Sequence, residues 1–217
     1  MASNRIRVSY LLLGLSAAPL VAGGVRLAQL SLGEPDASTA RFHQAPWPVT
    51  LHILAATLFS VLGAFLLDPA WRAKALRWHR SAGAVALVSG LVVAASGAYM
   101  AMTYAIPEAL QGPLLRMTQL AVSIGMFLGL LLALRAIVER RFEDHGAWML
   151  RAYALGLGAG TQVFVFLPAE LLVSGPVHGL PRDLLMAAAW GLNLAVAELI
   201  ILRRSMRRLA GWRSETG

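Results

Sequence analysis

The chain reads as an all-α, polytopic integral membrane protein: one bundle of six transmembrane helices with both termini on the cytoplasmic side. Three observations carry this expectation. Of 217 residues, 58% are hydrophobic and only 14% are charged. A soluble domain holds about 25% charged residues, so this chain lacks the polar surface to face water. Apolar runs recur along its whole length, each at or above the roughly 18 residues that span a bilayer as helix. The basic residues then collect on alternate connections, as membrane insertion requires.

The first helix is expected over residues 8–28, after Arg5 and Arg7. A cleaved signal peptide is the competing reading, with small residues at Ala17, Ala18 and Ala22. The run is longer than a usual signal core, which favours a retained helix. A polar, proline-bearing loop follows, with Trp47 placed at the interface. The second helix covers 49–67 and closes at Asp68-Pro69. The third covers 80–106 and closes at Pro107; the fourth covers 114–138, after Gly112-Pro113. The fifth covers 146–172 as one span, and the sixth covers 183–203 before an arginine-rich tail. Residues 1–217 form a single transmembrane domain.

With the N-terminus inside, fourteen of the 19 basic residues fall on cytoplasmic segments. Arg26, Arg41, Arg116 and Arg182 fall outside, and Arg151 lies within the fifth helix. The formal charge of +8 is thereby explained by orientation, and nucleic acid is not an expected partner. Cysteine is absent, which excludes disulfides, thiolate metal sites and cysteine catalysis. Lys74 is the sole lysine among these basic residues, a bias that points to a GC-rich bacterial genome and to the bacterial inner membrane.

Small residues mark the expected packing faces. Gly125 and Gly129, and Gly156 and Gly160, stand four apart; Gly83, Gly90 and Gly97 stand seven apart. An offset of eleven residues returns to within about 20° of one helix face. His52 precedes Gly63 by eleven, His79 precedes Gly90 by eleven, and His145 precedes Gly156 by eleven. All three histidines are therefore expected to point into the bundle. His79 and His145 open the third and fifth helices at the cytoplasmic end, whereas His52 opens the second at the other end. Asp144 is the expected N-cap of the fifth helix, which favours a neutral His145 ring.

Two inward histidines at one depth form a candidate axial pair for haem b, with Arg77, Arg80 or Arg151 serving its propionates and Trp148 beside them. His52 is a further candidate metal ligand. Arg151 and Glu198 lie at similar depth and are expected to pair, since either charge alone is costly in hydrocarbon. Arg116 and Glu170 are a second such pair. Asn193, Thr161 and Gln162 are expected to hydrogen-bond between helices. His43 and His178 read as solvated loop residues. No phosphate-binding loop and no three-ligand hydrolase motif is present in the sequence.

The segments around His52, His79-Arg80-Ser81-Ala82-Gly83 and His145-Gly146-Ala147-Trp148-Met149-Leu150-Arg151-Ala152-Tyr153 resemble the bacterial membrane proteins grouped as DUF2306. The resemblance covers about residues 48–165 and implies a membrane bundle without implying an activity. A looser resemblance is to six-helix transmembrane cytochromes of the b561 kind. It implies that His79 and His145 match a cytoplasmic haem pair and His52 one ligand of an outer pair. The fourth helix departs from that pattern: it has no histidine, only Met117.

The expected function is a haem b electron carrier, a transmembrane oxidoreductase if an enzyme at all, with the bilayer, a quinol or another redox partner, and a second copy of the chain as partners. The alternative is a non-enzymatic bundle: a carrier, a metal-binding protein or a partner subunit.

Overall fold

The computed structural model describes residues 8–36, 39–69, 71, 76–106 and 112–215. Arg5, Arg7, Lys74 and Pro107, used above, lie outside them. Among the described residues the fold is helical, with no strand. The helices are α1 (Val8–Leu32), α2 (Ala40–Gln44), α3 (Pro46–Leu66), α4 (Leu76–Thr103), α5 (Leu115–Val138), α6 (Phe142–Gly156), α7 (Gly158–Leu172) and α8 (Gly179–Glu215). Five of these are long and apolar enough to cross a bilayer, and α6 with α7 makes a sixth span bent by 45°. The all-helical membrane bundle expected from composition is therefore present.

Several boundaries differ from the sequence reading, each for a local reason. The loop after α1 holds the short helix α2, and α3 starts at Pro46. Proline suits the first helical turn, where no backbone donor is needed. The third span starts earlier, at Leu76, and ends at Thr103. There the Tyr104 hydroxyl donates to the Ala45 carbonyl at 2.5 Å and holds the chain against the start of α3. The sixth span starts at Gly179, and its basic tail stays helical to Glu215. Glu143 and Arg208 pair across α6 and α8 along that tail. The fifth span is two helices, a correction that matters for function.

Asp144 does not cap α6. The cap position is Arg141, and Asp144 pairs with the Arg141 guanidinium at 2.9 Å. The turn before it explains the shift. Arg140 adopts φ 60°, with Arg141 N–H donating to Ala136 O at 2.8 Å and Arg140 N–H to Ile137 O at 3.1 Å. These two bonds make a Schellman motif that ends α5 and sets where α6 can begin.

Packing follows the glycines. The α3 helix lies on α1 and α4, and α5 lies between α4 and α6. The α6 helix also meets α3 and α8, and α7 packs on α1 and α8. The buried core runs through Phe59, Ala86, Leu130, Ala152 and Tyr153. Cβ atoms at Gly90 and Gly156 would each approach the Phe59 ring to 2.8 Å, so this ring is seated between two helices that must carry glycine there. Gly63 likewise faces the Tyr153 ring, whose hydroxyl donates to Ser60 O at 2.8 Å. At the end of α3, the buried Asp68 carboxylate accepts the Ser9 hydroxyl at 2.8 Å and ties down the start of α1.

Candidate functional site

The site is built on the break in the fifth span. Gly156, Gly158 and Gly160 fall within five residues, and the helix bends at Leu157 between them. Gly–rich stretches weaken a helix at such a point. The glycines also let the two halves choose different neighbours. Gly156 faces Phe59, which keeps α6 against α3. Gly158 faces the Trp190 indole of α8, and Gly160 faces the Leu15 carbonyl of α1. The second half is thereby drawn towards α8 and α1.

A break at membrane depth needs its backbone satisfied from elsewhere. Here α8 supplies the donor. Asn193 Nδ2 donates to the Ala154 carbonyl, one of the last of α6, at 3.1 Å. Thr161 Oγ1 donates to Asn193 Oδ1 at 2.8 Å, so a single asparagine bridges both sides of the bend. This bears out the expected interhelical role of Asn193 and Thr161. Gln162 departs from it: its amide nitrogen is buried and has no hydrogen-bond partner among the described residues.

On the other side of the bend a cavity of about 380 Å³ opens among α3, α4, α5, the break and α8. Its inner wall carries His52, Ser123 and Gln162, and Gln119 stands one turn nearer the mouth. Trp190, Met126 and Leu155 supply apolar surface. The mouth lies at the end of the bundle that holds α2, with Arg41, Tyr104 and Arg182 on its rim. A smaller cavity of about 230 Å³ lies among α1, α3 and α7. His52 lines both and stands between them.

The hydrogen-bond pattern orients His52. The Ser96 hydroxyl donates to the Val92 carbonyl at 2.6 Å. Its oxygen is then the acceptor for His52 Nδ1–H at 3.0 Å. In the neutral ring, Nε2 holds the lone pair. Gly97 lies beside this pair: a Cβ there would sit 3.0 Å from Ser123 Oγ and in ordinary contact, 3.5 Å, with the imidazole.

The other predicted site residues gather at the opposite end. His79 and His145 start α4 and α6, and α5 runs back between them, which puts both at the arginine-rich end. Neither lines either of the two cavities described. His145 Nδ1 lies 2.9 Å from the Ala133 carbonyl of α5. A carbonyl only accepts, so Nδ1 carries the hydrogen. Trp148 is half-buried and Arg80 is exposed.

Arg151 forms the expected ion pair with Glu198, bidentate at 2.5 and 2.9 Å, and lies over the Trp148 ring at 4.6 Å from its centre. Its guanidinium is thus committed to a carboxylate of this chain. Arg116 and Glu170 do not pair; Arg116 donates instead to the Met102 carbonyl at 3.2 Å. Among the described residues no group of three or more histidine, aspartate or glutamate side chains is placed to hold a metal ion.

The family model described as "Predicted membrane protein (DUF2306)" matches residues 49–201. The chain belongs to DUF2306. No curated protein and no solved structure matches it. In this DUF2306 protein the matched region runs past the expected limit near residue 165. It takes in the break, His52, His79, His145 and the Arg151–Glu198 pair, whereas α1, α2 and the end of α8 lie outside it.

Gln119, Ser123, Trp190 and the rim were missed from sequence. Polar side chains scattered over three runs become neighbours only when the helices are placed. A usable signal was present in Leu155-Gly156-Leu157-Gly158-Ala159-Gly160-Thr161-Gln162, three glycines beside two polar residues inside an apolar span. Interrupted membrane helices of this kind commonly border binding sites.

Proposed function

We propose that this DUF2306 protein is a membrane-embedded small-molecule binding protein of the carrier type, with its ligand in the cavity beside the α6–α7 break. The observation that carries this reading is the juxtaposition of a bent span with a roomy, partly polar cavity. Its volume falls in the range of about 300–1,000 Å³ usual for ligand pockets. A packing defect in a membrane bundle would be lined by apolar side chains alone. This one brings together an oriented histidine, a serine and a glutamine whose amide nitrogen has no hydrogen-bond partner among the described residues.

The cysteine-free chain makes the test direct. Single cysteines at Ser123 and Gln162 should react with a membrane-impermeant maleimide in intact vesicles. A cysteine at Ala86, which is fully buried in the core, should not. Unreactive Ser123→Cys and Gln162→Cys variants would show a sealed void and sink the carrier reading.

One observation favours a second reading, haem b held by His79 and His145. The Ala133 carbonyl orients His145 in the manner common to metal-ligating imidazoles, with Nε2 left to bind. Haem would supply one-electron transfer there. Against it, Arg151 is occupied by Glu198, and neither described cavity reaches the two histidines. Protein expressed with ample haem should show a reducible Soret and α-band that His145→Ala abolishes. A colourless preparation removes this reading.

A further inference from the structure

Arg41 stands at the mouth of the cavity, and Arg26 meets the same Phe42 ring beside it. The guanidinium carbons of Arg26 and Arg41 lie 4.5 and 4.3 Å from the centre of the Phe42 ring. Each gains a cation–π contact, but they also repel one another. Among the described residues neither forms an ion pair, and Arg26 Nη1 is buried without a hydrogen-bond acceptor. Leaving such a charged donor unsatisfied is costly, so an anion beside it would be stabilising. Burial, and then the Arg26 charge, hold the Arg41 pKa below its ordinary value. Arg41 and Phe42 line the cavity itself, so an anion held by the pair would sit at its mouth.

The size of the space restricts the rest of the ligand. At about 30 Å³ for each water-sized group, the cavity of about 380 Å³ holds on the order of a dozen non-hydrogen atoms. That is too small for a two-chain lipid. The inner wall offers Trp190 and Met126 as apolar and polarisable surface.

We propose that the cavity takes an organic monocarboxylate of about a dozen non-hydrogen atoms, its carboxylate at the Arg41–Arg26 pair and its apolar body against Trp190 and Met126. This rests on the reading of the cavity as a ligand site and adds the chemical class of the ligand.

The test is equilibrium binding to the purified full chain in detergent, with 4-phenylbutanoate as probe and 4-phenylbutan-1-ol as its uncharged counterpart. The acid should bind about tenfold more tightly, the scale of one hydrogen bond to a charged group. Arg41→Gln should remove the preference and Arg41→Lys should keep part of it; Arg26→Gln serves if Arg41→Gln does not fold. Equal affinity for acid and alcohol, both lost in Gly97→Leu, would overturn the charge recognition and leave the ligand cavity standing. Binding of neither probe, with the cavity cysteines still reactive, would likewise overturn the acid alone. Displacement of the acid by inorganic phosphate at similar concentration would identify a soluble-anion site and refute the apolar body. Loss of the preference in phosphatidylglycerol nanodiscs, but not in phosphatidylcholine ones, would assign the arginines to lipid headgroups and also refute the proposal.

Discussion

At the residue scale, what decides each polar group is whether it is satisfied inside the bundle. Arg151 and Glu198 are paired in bidentate geometry, so neither polar group stands alone in the span. Replacing Glu198 with Ala strands the guanidinium and should cost about 2 kcal/mol. The double variant Arg151→Met/Glu198→Met should recover most of that, since two apolar side chains leave no charge unpaired. Thermal unfolding in detergent measures both; an unchanged Glu198→Ala protein would show that the pair contributes nothing. His52 contrasts with this pair. Its ring is oriented by Ser96 through one nitrogen, and the other side borders two cavities. The pairing of Arg151 was readable from depth alone, because two opposite charges at one level have few other ways to be stable in hydrocarbon. The partner of His52 was not, because Ser96 is 44 residues away.

At the scale of elements, breaks and turns set the architecture. The α5–α6 turn uses Arg140 at φ 60°, a left-handed position where glycine is the usual residue. Arg140→Gly should therefore stabilise the protein by about 1 kcal/mol, read as a rise in melting temperature. A lower melting temperature would mean that the arginine side chain contributes more than the backbone strain costs. The α6–α7 bend has the opposite logic. Its glycines carry ordinary dihedral angles but allow Phe59, Trp190 and Leu15 to come close. Hydropathy saw one continuous span there, since glycine and alanine keep the run apolar. Only the placement of α8, with Asn193 reaching the Ala154 carbonyl, shows why the helix can afford to stop.

At the scale of the whole molecule, an even number of crossings puts both termini on one side. The concentration of arginine at one end predicts that this side is cytoplasmic. Fusions of a periplasmic reporter to either terminus should be inactive, and a fusion at the α7–α8 connection near Pro176 should be active. An active reporter at the C-terminus would contradict six crossings. With that orientation the mouth between Arg41 and Arg182 would lie on the outer side and the two remaining candidate histidines on the inner side, so binding and any redox chemistry would occupy opposite ends.

Membership of a helical membrane class was determined by the sequence alone. Transfer of apolar side chains out of water is a sum over local composition and needs no knowledge of neighbours. The inward faces of Gly63, Gly90, Gly97 and Gly156 were legible because a helix repeats every 3.6 residues wherever it is placed, whereas Gly83, read as part of the same stripe, has no neighbour within 4 Å. The cavity was decided only by tertiary structure. It depends on where a bent span diverges from α5, and on which polar side chains of six separate segments then face the gap. Those are relations between helices, and no periodicity within one helix encodes them.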